Sequence, residues 1–151
     1  MKRLLASFAG LLGLSAGMSC VTWKVVGPPD RSVACLQSEL PEHFVCLETV
    51  KSWPQDELLW VDARPRADWE ENGVAGAILL NDQEEWLDLE PNFMMNMMME
   101  TRSKVVVYCN RSGCGSSKYV ANQLRERHAE TLGFEVYVLE GGVKAILAEA
   151  E

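Results

Sequence analysis

The stretch KVVVYCNRSGCGSS, Lys104 to Ser117, carries the most structural information in the chain. Val105, Val106, Val107 and Tyr108 form a short, β-branched, uninterrupted apolar run. That is the pattern of a strand buried on both faces of a parallel sheet. Cys109 follows directly, then a polar loop with glycines at 113 and 115, then the helical pattern SSKYVANQLRER. Open α/β sheets bind their ligands at the carboxyl ends of strands, ahead of a helix N-terminus. Such a terminus carries about +0.5 of an elementary charge, and its first amides lack intrahelical partners. Both effects favour a thiolate, so Cys109 is expected to titrate below the ordinary thiol value of about 8.5 and to act as a nucleophile.

Outward from this stretch, strand-like and helix-like pieces alternate. Phe44 to Leu47 reads as a strand, Glu48 to Trp53 as a helix, and Leu58 to Val61 as a strand ending at Asp62. Arg66 to Glu71 reads as a helix closed by Asn72-Gly73, Ala77 to Leu80 as a strand, and Gln83 to Leu89 as a helix ended by Pro91. After Ser116 to about His128 come a last strand, Glu135 to Leu139, a Gly141-Gly142 break and a final helix, Val143 to Glu149. This alternation predicts βαβ units and a mainly parallel sheet flanked by helices, a single α/β domain over residues 44–151.

The 151 residues suit one domain, and 48% apolar with 24% charged residues describes a globular chain. A net charge of -8 excludes a general nucleic-acid binder, since phosphates would be repelled. Residues 1–23 read as an export signal or membrane anchor. Lys2 and Arg3 precede the uncharged apolar run Leu4 to Leu14, with small residues at Ser15, Ala16, Gly17 and Ser19. Three fates are open: cleavage to a soluble periplasmic domain, acylation at Cys20 as a lipoprotein, or retention as an anchor attached to the membrane. An uncharged helix from Leu4 to Trp23 would span roughly 30 Å. Residues 24–43 read as an irregular lead, marked by Gly27-Pro28-Pro29-Asp30 and Pro41. In an oxidising compartment Cys35 and Cys46 can form a disulfide tying this lead to the first strand; otherwise they are two thiols.

The residues carry a resemblance. Leu59-Trp60-Val61-Asp62-Ala63-Arg64, Trp69-Glu70-Glu71-Asn72-Gly73-Val74-Ala75-Gly76-Ala77, Val106 to Cys109 and Val138-Leu139-Glu140-Gly141-Gly142 resemble, in order, the signatures of rhodanese-like domains. The resemblance implies a rhodanese-like parallel sheet and a sulfurtransferase activity. Cys109 would take a sulfane sulfur from a small donor such as thiosulfate and pass the resulting persulfide sulfur to a thiophilic acceptor or acceptor protein. No metal and no organic cofactor is implied.

This chemistry makes sense of the loop. Amides from Asn110 through Arg111, Ser112, Gly113 and Gly115 to Ser116 can curl into an anion-binding nest, with the glycines allowing positive φ. Arg111 would pair with an anionic donor through its fixed fork, and Ser116 or Ser117 would cap the helix. Lys118 would add positive charge in its first turn. By the resemblance Asp62 and Arg64 lie near the mouth, Arg64 either orienting a donor anion or bracing the strand end against Asp62. The loop also departs from the family pattern Cys-x-x-Gly-x-Arg or Ser: Ser112 stands at the Gly position and Cys114 at the Arg position. Its added length resembles that of phosphatase and arsenate-reductase relatives, yet the phosphatase Arg six residues after the cysteine is here Gly115. Cys114 is either a small filler or a resolving thiol, which opens two other functions. One is a thiol-disulfide redox protein using Cys109 and Cys114; the other is a non-enzymatic binding module.

Some features carry competing readings. Met94, Met95, Met97, Met98 and Met99 could bind Cu(I), or form an adaptable apolar cover or sticky surface. His43 and His128 fit no metal spacing and are expected at the surface. Trp60, Trp69 and Trp86 sit on core-like positions. Asp82-Gln83-Glu84-Glu85 reads as a solvated helix start.

Overall fold

In the computed structural model the residues described are 35–100, 102–110 and 115–148. The elements are β1 (Phe44–Val45), α1 (Leu47–Lys51), β2 (Leu58–Asp62), α2 (Arg66–Asn72), β3 (Ile78–Leu79), α3 (Trp86–Met99), β4 (Lys104–Tyr108), α4 (Gly115–Leu124), α5 (Glu130–Leu132), β5 (Glu135–Leu139) and α6 (Val143–Leu147). A π-helical stretch, Arg125–Ala129, joins α4 to α5. The strands form one five-stranded sheet in the order β1-β5-β4-β2-β3. Every pairing is parallel, with Asp62 opposite Tyr108 and Val107 opposite Val138. This is the parallel α/β architecture expected from the alternating pattern.

β4 lies at the centre because it is apolar on both faces: Val105, Val106, Val107 and Tyr108 are all fully buried. Period-two alternation divides its side chains between two layers. Val105, Val107 and Cys109 pack with Leu59, Val61, Phe93, Val120, Ala121 and Leu124, under α3 and α4. Val106 and Tyr108 pack with Val50, Leu58, Leu139 and Val143, under α1 and α6. The same parity that buries Val105 and Val107 against α4 therefore turns Cys109 toward that helix.

Local differences from the sequence reading have local causes. Pro91 does not end a helix; it sits inside α3, which starts at Trp86 and runs to Met99. The amide it lacks would have reached the carbonyl of Leu87, an exposed residue, so that lost bond is left on the wet side. Leu89, Phe93 and Met97, spaced four apart, hold α3 to the sheet. The residues just before α3 are an Asn81-centred turn, whose side-chain oxygen accepts from the amides of Gln83 and Glu84 at 2.9 Å each. The cluster of methionines divides: Met97 is in the core, while Met95, Met98 and Met99 are exposed.

The end of the lead is joined to the domain. A Cys35–Cys46 disulfide, Cα–Cα 5.8 Å, links it to the residue before α1. Gln37 donates to the Phe44 carbonyl at 2.8 Å and accepts from the Cys46 amide at 2.9 Å. The expected export or anchor segment, residues 1–23, lies outside the described residues, as does Cys20. Among the described residues no helix is long and apolar enough to cross a membrane.

Candidate functional site

The strand order fixes where a site can form. The chain leaves β2 toward β3 on one side and leaves β4 toward β5 on the other, so a crevice opens between the carboxyl ends of β2 and β4. Cys109 stands at that point, buried at 2% exposure. Its carbonyl accepts from the Val143 amide at 2.7 Å, at the start of α6. The connection from β5 to α6 needs Gly141 and Gly142, both at positive φ (80° and 61°). At Gly141 a Cβ would also come 3.0 Å from that of Ala145. The Gly-Gly turn thus fixes the backbone at Cys109 from the neighbouring strand.

The sulfur faces the first turn of α4. The Ser117 hydroxyl donates to Cys109 Sγ at 3.6 Å, and Ser117 is itself buried. A hydroxyl donor and a helix N-terminus both stabilise negative charge on sulfur. Ser117 is thus a direct neighbour of the candidate nucleophile; because α4 already begins at Gly115, neither Ser116 nor Ser117 is the cap expected, and their hydroxyls go to Asp82 and Cys109 instead. Gly115 is the first residue of α4 and has open space where a Cβ would stand. It begins the helix in place of the positive-φ turn expected there.

Two carboxylates brace the ends of the cysteine loop. Asp68, in the first turn of α2, accepts from Asn110 Nδ2 at 3.2 Å. Asp82, beyond β3, accepts from Ser116 Oγ at 2.9 Å. Neither acid stood out in the sequence. Asp68 was one position of a helical pattern, and Asp82 belonged to an acidic run that leads into α3, with Glu85 as its N-cap. Position after the carboxyl ends of β2 and β3 was the available signal. Arg111, Ser112, Gly113 and Cys114 lie outside the described residues, so the anion cradle and the resolving thiol stay sequence expectations.

Asp62 and Arg64 form a structural brace. Asp62 is 0% and Arg64 3% exposed, and the guanidinium holds both carboxylate oxygens through Nε and Nη2 at 2.7–3.1 Å. Nη1 donates to Asn72 Oδ1 at 2.7 Å, and the group sits 5.5 Å from the Tyr108 ring centroid. Burial alone would depress the Arg64 pKa, but the hydrogen bond and charge of Asp62 outweigh it and the value is raised. These contacts commit Arg64 to the strand end. Burial, reinforced by Asp62 against an opposing Val74 amide, pushes the Tyr108 phenol far above its usual range, so it stays neutral. Lys118 turns toward β1, its Nζ 5.5 Å over the Phe44 ring.

His128 is half-buried, not fully at the surface. Its Nε2 lies 2.7 Å from Glu90 Oε1, and the side chain is 18% exposed. The same oxygen accepts from the Trp86 indole at 2.6 Å, so α3 is clasped to the π-helical stretch. Trp69 donates to the Ala77 carbonyl at 3.0 Å, and Trp60 packs edge-on to Tyr108 at 6.0 Å between centroids. Among the described residues no group of three or more His, Cys, Asp or Glu could hold a metal ion.

The profile of the rhodanese-like domain family matches residues 47–149. The chain belongs to the rhodanese-like domain family. Its resemblance to that family, read from four short signatures, is therefore correct. No curated protein matches the chain. Among solved structures, the rhodanese-like domain is similar to the As/Sb reductase from Leishmania major (TM-score 0.56, 18% identity, covering 70% of this chain and 77% of that one). It is also similar to the BH2092 protein from Bacillus halodurans (TM-score 0.52, 18% identity, covering 72% and 73%). At these identities the likeness is one of fold. The family includes sulfurtransferases, arsenate reductase-like proteins and non-catalytic members.

Proposed function

We propose that this chain is a sulfurtransferase that carries a sulfane sulfur as a persulfide on Cys109. The observation that supports it most is the setting of the sulfur: at the switch point of the sheet, beside the first turn of α4, with the Ser117 hydroxyl 3.6 Å away. The Cys109 thiolate attacks the outer sulfur of the donor, the donor's S–S bond breaks, and its remaining part leaves with the electron pair. A thiophilic acceptor then attacks the outer sulfur of the persulfide and regenerates the thiolate. In this reading the loop amides after Cys109 and Arg111 hold the donor, and Cys114 protects or resolves the persulfide.

The proposal includes export. Lys2-Arg3, the apolar run after them and the Cys35–Cys46 disulfide support it, since disulfides persist in oxidising compartments.

The test is formation of thiocyanate from cyanide, with thiosulfate and an organic persulfide as alternative donors. Cys109→Ser is expected to fall to background with either donor, while Cys114→Ser keeps turnover. Reductant-dependent turnover lost in both variants would favour a Cys109–Cys114 redox pair. Absence of any transfer or persulfide would favour a binding module.

A further inference from the structure

A carboxylate stands at each end of the cysteine loop, and this bears on which donor the site accepts; the inference rests on the sulfurtransferase reading above. Asp68 and Asp82 accept hydrogen bonds from the two ends of the loop, at Asn110 and at Ser116. Three described cations that follow β2 and β4 are directed elsewhere. Arg64 is buried on Asp62, Arg66 pairs with Glu84 at 2.6 Å, and Lys118 lies over Phe44. Between Tyr108 and Ser117 the sequence supplies one cation, Arg111, against these two carboxylates, in a chain of net charge -8.

A doubly charged inorganic donor such as thiosulfate feels each carboxylate twice over, and water screens the repulsion only in part. An organic persulfide bears its charge on one sulfur, and an ammonium group on its carbon skeleton would be attracted to the same carboxylates. We propose that the donor class is an organic persulfide with an ammonium group close to the sulfur, and that Asp68 and Asp82 are the residues that select it. The transfer balances without an external oxidant. Cys109–S⁻ attacks the terminal sulfur of R–S–SH, the S–S bond breaks, R–S⁻ departs with the electron pair, and Cys109–S–SH keeps the proton.

Three persulfides that differ mainly in the charge of the carbon skeleton serve as probes: those of cysteamine (cationic skeleton), mercaptoethanol (neutral) and mercaptopropionate (anionic), with thiosulfate as a fourth donor. The readout is the single-turnover rate of sulfur loading on Cys109 of the full chain at low ionic strength. Wild type is expected to load fastest from the cysteamine persulfide and slowest from the anionic donors. Asp68→Asn and Asp82→Asn retain a side-chain acceptor for Asn110 and Ser116 and remove the charge. Each should slow the cationic donor and speed the anionic ones, moving the cation-to-anion rate ratio by about five-fold, and added salt should shrink the wild-type ratio. A purely structural role for the two acids would slow all donors together and leave the ratio in place, which overturns the proposal. An unchanged or reversed order in wild type overturns it too. Loading from none of the four donors would instead remove the sulfurtransferase reading, and this inference with it.

Discussion

Ser117 is the side chain whose loss most directly probes the electrostatics of Cys109. Its hydroxyl is buried and donates to the sulfur, and hydrogen bonds to charged groups contribute about 1.5–3 kcal/mol. Ser117→Ala should lower the loading rate of Cys109 by roughly 10- to 100-fold. The sign follows from the donor's preference for thiolate: without it the acid limb of the pH–rate profile moves to higher pH. An unshifted profile would mean that the hydroxyl serves only the packing of α4 on β4. Cys109 was legible in the sequence because a buried apolar strand ran straight into a cysteine and then a glycine-bearing loop. Ser117 was legible only as a cap, since its approach to the sulfur depends on how α4 docks on β4. Asp68 and Asp82 were not legible as loop partners, because one reaches the loop from the first turn of α2 and the other from the connection after β3.

At the scale of elements, sequence reading succeeded where periodicity was enforced by burial. β4 and β5 have the bounds expected for them, since each sits inside the sheet with neighbours on both sides. It failed at α3, where Pro91 suggested a stop. The buried faces of Leu89, Phe93 and Met97 outweigh one missing hydrogen bond at an exposed turn. The clasp between α3 and the π-helical stretch gives a pH prediction. Burial on its own raises the Glu90 pKa. The hydrogen bonds from Trp86 and His128, with the charges of His128 and Arg127, outweigh it and hold the carboxyl below its usual value of 4.5. A depressed acid stabilises the fold above its unfolded pKa, and that contribution is lost as pH falls through the folded one. Glu90→Gln should therefore be less stable than wild type at neutral pH, and the difference should vanish in acid. Urea denaturation across that pH range checks it, and a constant difference would assign Glu90 a purely steric role.

For the whole molecule, the disulfide and the charge matter most. Cys35 and Cys46 close a short loop, 11 residues apart in sequence, which constrains the unfolded chain by about 3 kcal/mol in the loop-entropy description. Replacing both with serine should lower stability by a comparable amount and leave sulfur loading on Cys109 intact, because the bridge sits at the lead and not at the carboxyl end of β4. The fold class followed from the alternating pattern and the family from four signatures in order. The donor class did not, since it depends on the charges that surround one loop in three dimensions. The most direct measurement of the central claim is the intact mass of the protein after incubation with an organic persulfide and removal of excess donor. A sulfurtransferase gains the mass of one sulfur atom, reversible by cyanide with release of thiocyanate, and Cys109→Ser gains nothing. A wild-type mass that stays unchanged, or a gain that persists in Cys109→Ser, would contradict it.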